Sequence, residues 1–153
     1  MATSWVRARH ASRRCARQTA RILAALDNPQ VRVLAHPTGR LIGVREPDDV
    51  DVAAIVRKAR ERGVVLELNA HPERPDLGDT HCRPCEDEDV AVAINPDAHA
   101  TGDFAFLGLG IGKARRGGLT RDDVLDTRAL RAVREFLGHA APGQRRALGK
   151  RRS

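Results

Sequence analysis

The sequence predicts an α/β fold with parallel strands and flanking helices. Three observations carry that expectation. Three short apolar runs, 31–35, 64–69 and 90–95, have strand length and are bounded by turn-forming residues. A helical pattern lies between the first two, so strand, helix and strand follow one another, which is the signature of parallel pairing through a crossover. Each run ends in Asn, Asp or His, and in parallel α/β sheets that C-terminal edge is where ligands and catalytic groups collect.

The elements follow in order. Residues 1–11 show no period and are expected to be disordered. From Ser12 the positions Cys15, Thr19, Ile22, Leu23 and Leu26 fall on one helical face, and Asp27-Asn28-Pro29 stops the helix. Strand 31–35 leads into the loop His36-Pro37-Thr38-Gly39-Arg40, and 41–47 continues as loop. Asp48 or Asp49 is a candidate cap for the next helix, which buries Val52, Ile55, Val56 and Ala59 and has Gly63 just past its end. Strand 64–69 follows. Residues 70–89 read as irregular, because Pro72, Pro75 and Pro84 discourage helix. After strand 90–95 comes the Asp97–His99 loop, then a glycine-rich stretch ending in Lys113, Arg115 and Arg116. Thr120 with Asp122 and Asp123 has the form of a helix start. Asp126 or Thr127 is a candidate cap for a last helix, which ends at Gly138.

Composition narrows the class. The 153 residues give room for one domain. Apolar residues make up 41% but aromatics only 3%, so the core must be aliphatic. No apolar run approaches the roughly 18 residues of a membrane span, and a cytoplasmic location without membrane contact is expected. The net charge of +7 is unevenly placed: residues 1–21 and 145–152 hold no acid, and all 20 acidic residues lie between them. Such basic ends suit nucleic-acid phosphates, although an arginine-biased composition accounts for them equally well. Three cysteines are too few for a disulfide framework.

The residues that carry chemistry cluster at the strand ends. An Asp-x-His pair, Asp97 and His99, suits a divalent metal, because the carboxylate supplies charge and the imidazole a neutral nitrogen donor. Arg40 and Asn69 are candidates for phosphate or substrate contact. Glu67 shares strand parity with Asn69, and a buried carboxylate there needs a partner such as Arg. Arg74 and Asp76 read as a loop-fixing pair, with Arg74 on DNA as the alternative. Arg115 and Arg116, with Lys113, suit a DNA backbone or a solvated turn. Cys82 and Cys85, near His71 and His81, have the count of a zinc knuckle, but one Cys-x-x-Cys is weak support.

The ordered motifs Leu34-Ala-His-Pro-Thr-Gly-Arg-Leu-Ile42, Leu66-Glu-Leu-Asn-Ala70 with Arg74-Pro-Asp-Leu77, Ile94-Asn-Pro-Asp-Ala-His99, and Gly112-Lys-Ala-Arg-Arg-Gly117 with Asp122-Asp-Val-Leu-Asp-Thr127 resemble the PHP (polymerase and histidinol phosphatase) phosphoesterase domain. The version they resemble is the one at the C-terminus of bacterial family X DNA polymerases. The resemblance implies a distorted (β/α)7 barrel with zinc or manganese at its strand ends, acting on DNA as a 3′–5′ exonuclease and phosphoesterase. It matches His36, Asp97 and His99 to three metal ligands. It leaves Arg40, Asn69, Arg74, Arg115 and Arg116 for substrate. The His-x-His that opens the family pattern is absent. The expectation is therefore a truncated, partial barrel: a basic segment at 1–17, the C-terminal half of a PHP domain at 18–138, and a basic tail at 139–153. Its open sheet edges would favour self-association or a complementing N-terminal half. The alternatives are a non-catalytic remnant or nucleic-acid-binding fragment, and a histidinol-phosphatase-like phosphomonoesterase.

Overall fold

The computed structural model describes residues 4–7 and 15–138. Most of the basic ends therefore lies outside the described residues. Four strands pair in parallel in the order β1-β2-β3-β4: β1 Ser4–Arg7, β2 Val31–Ala35, β3 Val65–Asn69 and β4 Val92–Asn95. The three predicted strands are all present. β1 is an addition, because a four-residue strand is too short to show a period in a segment read as disordered. The strands make an open sheet, and the described residues do not close it into a barrel.

Helix α1 spans Cys15–Leu26 and α2 spans Val52–Arg62. The cap of α2 is Asp51, not Asp48 or Asp49: its carboxylate accepts the Ala54 N–H at 2.8 Å. Asp48 is engaged elsewhere, accepting the Gln18 amide at 3.2 Å and so joining α1 to the loop before α2. Gly63 ends α2 at φ +60, the left-handed conformation that closes a helix most cheaply in glycine.

Helix α3, Asp79–Asp87, corrects the irregular reading of 70–89. Pro84 sits inside it and removes one backbone donor, but Cys82 and Cys85 on the same helix are fully buried, and that burial offsets the loss. Helix α4, Leu107–Arg116, follows a 3-10 turn at Thr101–Phe106 and runs through the glycine-rich stretch. Its glycines allow close approach to the sheet, since a Cβ on Gly110 would lie 2.6 Å from Ile94 and 2.8 Å from Ala70. Thr120 and Asp123 cap one another as expected, but over only a three-residue 3-10 turn.

Helix α5, Leu130–Gly138, is capped by neither Asp126 nor Thr127. The Asp126 carboxylate accepts the Ile94 N–H at 2.6 Å, and the Thr127 hydroxyl donates to the Arg121 and Val124 carbonyls. Together with a bridge between Val92 and Val124, this covers the outer edge of β4 that was expected to be open.

The alternation of the strands divides the core between two faces. Leu34, Leu66, Leu68 and Val92 pack with residues of α1, α2, α3 and α4. Val33, Val65, Ala91 and Ala93 pack with Leu125 and with Val133, Phe136 and Leu137 around α5. Helix α5 covers the second face, and Arg32 holds its end by donating to the Leu137 carbonyl at 2.7 Å.

Gly110→Ala should lower the unfolding free energy by roughly 1–3 kcal/mol, because α4 must retreat from Ile94 and Ala70. Urea denaturation followed by circular dichroism checks this, and an unchanged midpoint would refute the close packing.

Candidate functional site at the strand ends

Glu67, Asn69 and Asn95 continue, toward the C-terminal edge, the sheet face that carries Val65 and Ala93. Glu67 is 1% exposed, and its partner is a histidine rather than the expected arginine. Its Oε2 accepts the His36 backbone N–H at 3.0 Å and lies 3.0 Å from the His36 ring Nδ1. Its Oε1 accepts the Asn95 side-chain amide. One carboxylate thus ties the ends of β2 and β4 together through β3. Burial is the largest influence on it and pushes its pKa up, while His36 and Asn95 pull it down. The Glu67 carboxylate and the Asn69 amide both face His36 Nδ1, and together they fix the orientation of the ring.

Asn69 is fully buried, so it orders the site rather than facing solvent. Its Oδ1 accepts the His71 N–H at 2.9 Å, and its Nδ2 lies 3.1 Å from His36 Nδ1. Asp76 fixes the next loop. Its carboxylate accepts the Thr38 N–H, the Thr38 hydroxyl, the Gly39 N–H and the Leu77 N–H. Asp76 therefore holds this loop without Arg74, which takes another place.

Arg74 lines a pocket of about 160 Å³ with His36, Gly39, Arg40, Leu41 and Arg45. Arg45 stood inside a segment read as loop, and nothing in its local pattern marked it. The tight turn between Leu41 and Arg45, closed by two backbone hydrogen bonds, brings it back beside Arg40. Lys113 reaches toward the same edge, its Nζ 3.5 Å from the Asn69 carbonyl. Burial, then Arg116 and Arg40, lowers its pKa.

Asp97 and His99 follow β4. The Asp97 N–H donates to Asn95 Oδ1 at 3.0 Å, and His99 Nδ1 donates to the Asp97 carbonyl at 2.7 Å, which leaves Nε2 with a lone pair in the neutral ring. Asp103 accepts the His99 and Ala100 N–H groups. His36 at φ +49 and Asp97 at φ +54 both adopt the left-handed conformation, which non-glycine residues reach only at a cost. Among the described residues, no group of three His, Cys, Asp or Glu side chains stands together in a form that could hold a metal ion.

Two further groups lie elsewhere. Arg116 pairs with Asp79 at 3.3 Å and Arg115 is exposed; neither lines the arginine pocket. Cys82 and Cys85 are buried on α3, and the Cys85 thiol donates to the His81 carbonyl. Burial pushes Cys82 up to about 11 and Cys85 up to about 12.

His36 belongs both to the strand-end cluster and to the arginine-lined pocket. Over 117 residues, 76% of its length, this chain is 38% identical to the DNA polymerase/3′-5′ exonuclease PolX of Bacillus subtilis (strain 168). It is 24% identical over 127 residues, 79% of this chain, to proteins named "Probable phosphatase" in Thermoanaerobacter sp. (strain X514) and Thermoanaerobacter pseudethanolicus (strain ATCC 33223 / 39E). The chain is thus a homologue of part of PolX, spanning 20% of that protein and 49% of each phosphatase. No protein-family model matches it.

Asp76→Ala should lower stability by at least about 2 kcal/mol, because it orphans donors of a buried loop. Chemical denaturation measures the loss, and a smaller change would show that water replaces the carboxylate. The thiols give a pH dependence. Their folded pKa values lie above the ordinary one, so their contribution to stability is complete below about pH 9 and disappears as pH rises through 11 to 12. Urea midpoints taken across that range should fall more steeply in the wild type than in Cys82→Ala/Cys85→Ala.

Proposed function

We propose that this chain carries part of a PHP-type phosphoesterase that hydrolyses phosphodiesters at DNA ends with the help of a divalent metal. The observation that supports it most is the buried Glu67 beneath His36, at a strand end in a chain similar to a 3′-5′ exonuclease. An inward-facing carboxylate that orients a histidine ring is the usual support for a functional imidazole.

Zinc or manganese is the metal this reading implies. The donor types fit, since His36 and His99 supply imidazole nitrogens and Asp97 supplies charge. Among the described residues no set of three such donors is already assembled. Of the chain's own groups, Glu67 and Asn69 order His36, Asp76 fixes the Thr38–Gly39 loop, and Arg40 and Arg74 offset phosphate charge. DNA is the substrate by similarity to PolX. A phosphomonoesterase is the second reading, favoured by the similarity to the two probable phosphatases.

The test combines metal analysis with hydrolysis of a 5′-labelled oligonucleotide and of p-nitrophenyl phosphate, in manganese and in zinc. Asp97→Ala should lose the bound metal, and His36→Ala and Asp97→Ala should each lower hydrolysis by at least about 100-fold. A wild type that cleaves neither substrate would overturn the reading in favour of a non-catalytic fragment. Metal retained in Asp97→Ala would overturn the ligand assignment.

A further inference from the structure

The geometry points to a subsite for a terminal phosphate, the doubly charged monoester group, in the pocket formed by Arg40, Arg45 and Arg74 beside His36. For its use in a reaction the inference rests on the phosphoesterase reading; for its existence it rests on the pocket alone.

Three arginines line one pocket, and no acidic residue is among its lining. Among the described residues, none of the three arginines is in an ion pair. The Arg45 guanidinium makes a long contact, 3.4 Å, to the Gly39 carbonyl. Lys113 adds a fourth cation near Arg40. Like charges gathered in one concavity repel one another, and an anion that accepts from several guanidinium forks relieves that repulsion.

The walls are held in place before any ligand arrives. Asp76 holds Thr38 and Gly39 from one side. The Asp48 N–H donates to the Thr38 carbonyl at 2.8 Å. The Ile42 N–H donates to the Glu73 carbonyl at 2.8 Å, which locks the Arg40–Arg45 wall to the Arg74 wall. Gly43, at φ +74, makes the turn that returns Arg45 to the pocket. Such preorganisation lowers the cost of binding.

Size and charge select the ligand. The volume of about 160 Å³ falls below the roughly 300 Å³ at which pockets begin to enclose whole small molecules, so it suits a phosphate group with waters and leaves sugar and base outside. An internal diester brings one negative charge. A terminal phosphate brings close to two and three free oxygens, which matches three arginines better.

Isothermal titration with inorganic phosphate, at low salt and with EDTA present, tests the pocket without any metal. The wild type should bind saturably. Arg45→Gln and Arg74→Gln should each weaken binding about tenfold. Arg74 is exposed, so its substitution reports on the pocket rather than on folding. An oligonucleotide with a 5′-phosphate should bind the wild type at least about tenfold more tightly than its unphosphorylated twin, and the double variant should not distinguish them. Thymidine 5′-monophosphate separates the sources: binding equal to that of the phosphorylated oligonucleotide assigns the pocket to small monoesters, and weaker binding assigns it to a DNA end. Absence of saturable phosphate binding, unchanged affinity in both single variants, or equal affinity for the oligonucleotide twins would overturn the subsite. Phosphate binding that depends on the arginines, in a chain that hydrolyses nothing, would overturn the phosphoesterase reading and leave the subsite standing.

Discussion

A carboxylate taken out of water is costly unless its oxygens are occupied, and Glu67 meets that demand with groups from two neighbouring strands. The consequence is architectural. Parallel strands end wherever their hydrogen bonds run out, and nothing in the ladder itself aligns their ends. Glu67 takes the first N–H after β2 and the last side chain of β4, so the strand ends are level and His36 points in one direction. The elements above that edge inherit their position from this connection.

Asp76 does for the loops what Glu67 does for the strands. It sits on the chain that returns from β3, where Asn69 and Asp76 pair through their backbones, and its carboxylate reaches across to Thr38 and Gly39. Two loops distant in sequence then behave as one rigid rim. The rim and strand ends are therefore set by buried acids, while the basic residues stand on the outside. That order is economical for an anion site, because the acids neutralise backbone donors and leave the arginines unclaimed.

Much of this was legible in the sequence. The three strands were marked by β-branched and aliphatic runs, α2 by its apolar spacing and Gly63, and the strand-end residues by their place after each run. What escaped notice depended on long-range packing. Helix α3 tolerates Pro84 because the cysteines beside it are buried, and no local rule reveals that burial. Strand β1 is too short to show a period. Asp126 looked like a cap and instead serves the β4 edge, since an acid cannot announce which of several free N–H groups it will meet. At the site, His36 was visible and Glu67 was recognised as buried, but their pairing needed the register of β2 against β3. Arg45 was hidden in a loop whose turn geometry alone brings it to Arg40. The gathering of His36, Asp97 and His99 came from resemblance, and the described structure does not show it.

The left-handed backbone at His36 and Asp97 has a consequence for how such a chain tolerates change. A glycine at Asp97 would relieve a backbone strain of order 1 kcal/mol, though it would also discard the side chain. At His36 the same relief is set against the loss of the ring beside the buried Glu67 carboxylate. Stability and chemistry thus pull Asp97 in opposite directions and His36 in one. In a library screened separately for folding and for phosphate-ester turnover, the Asp97 column should diverge more than the His36 column, and that difference would separate the residue that serves the fold from the one that does not.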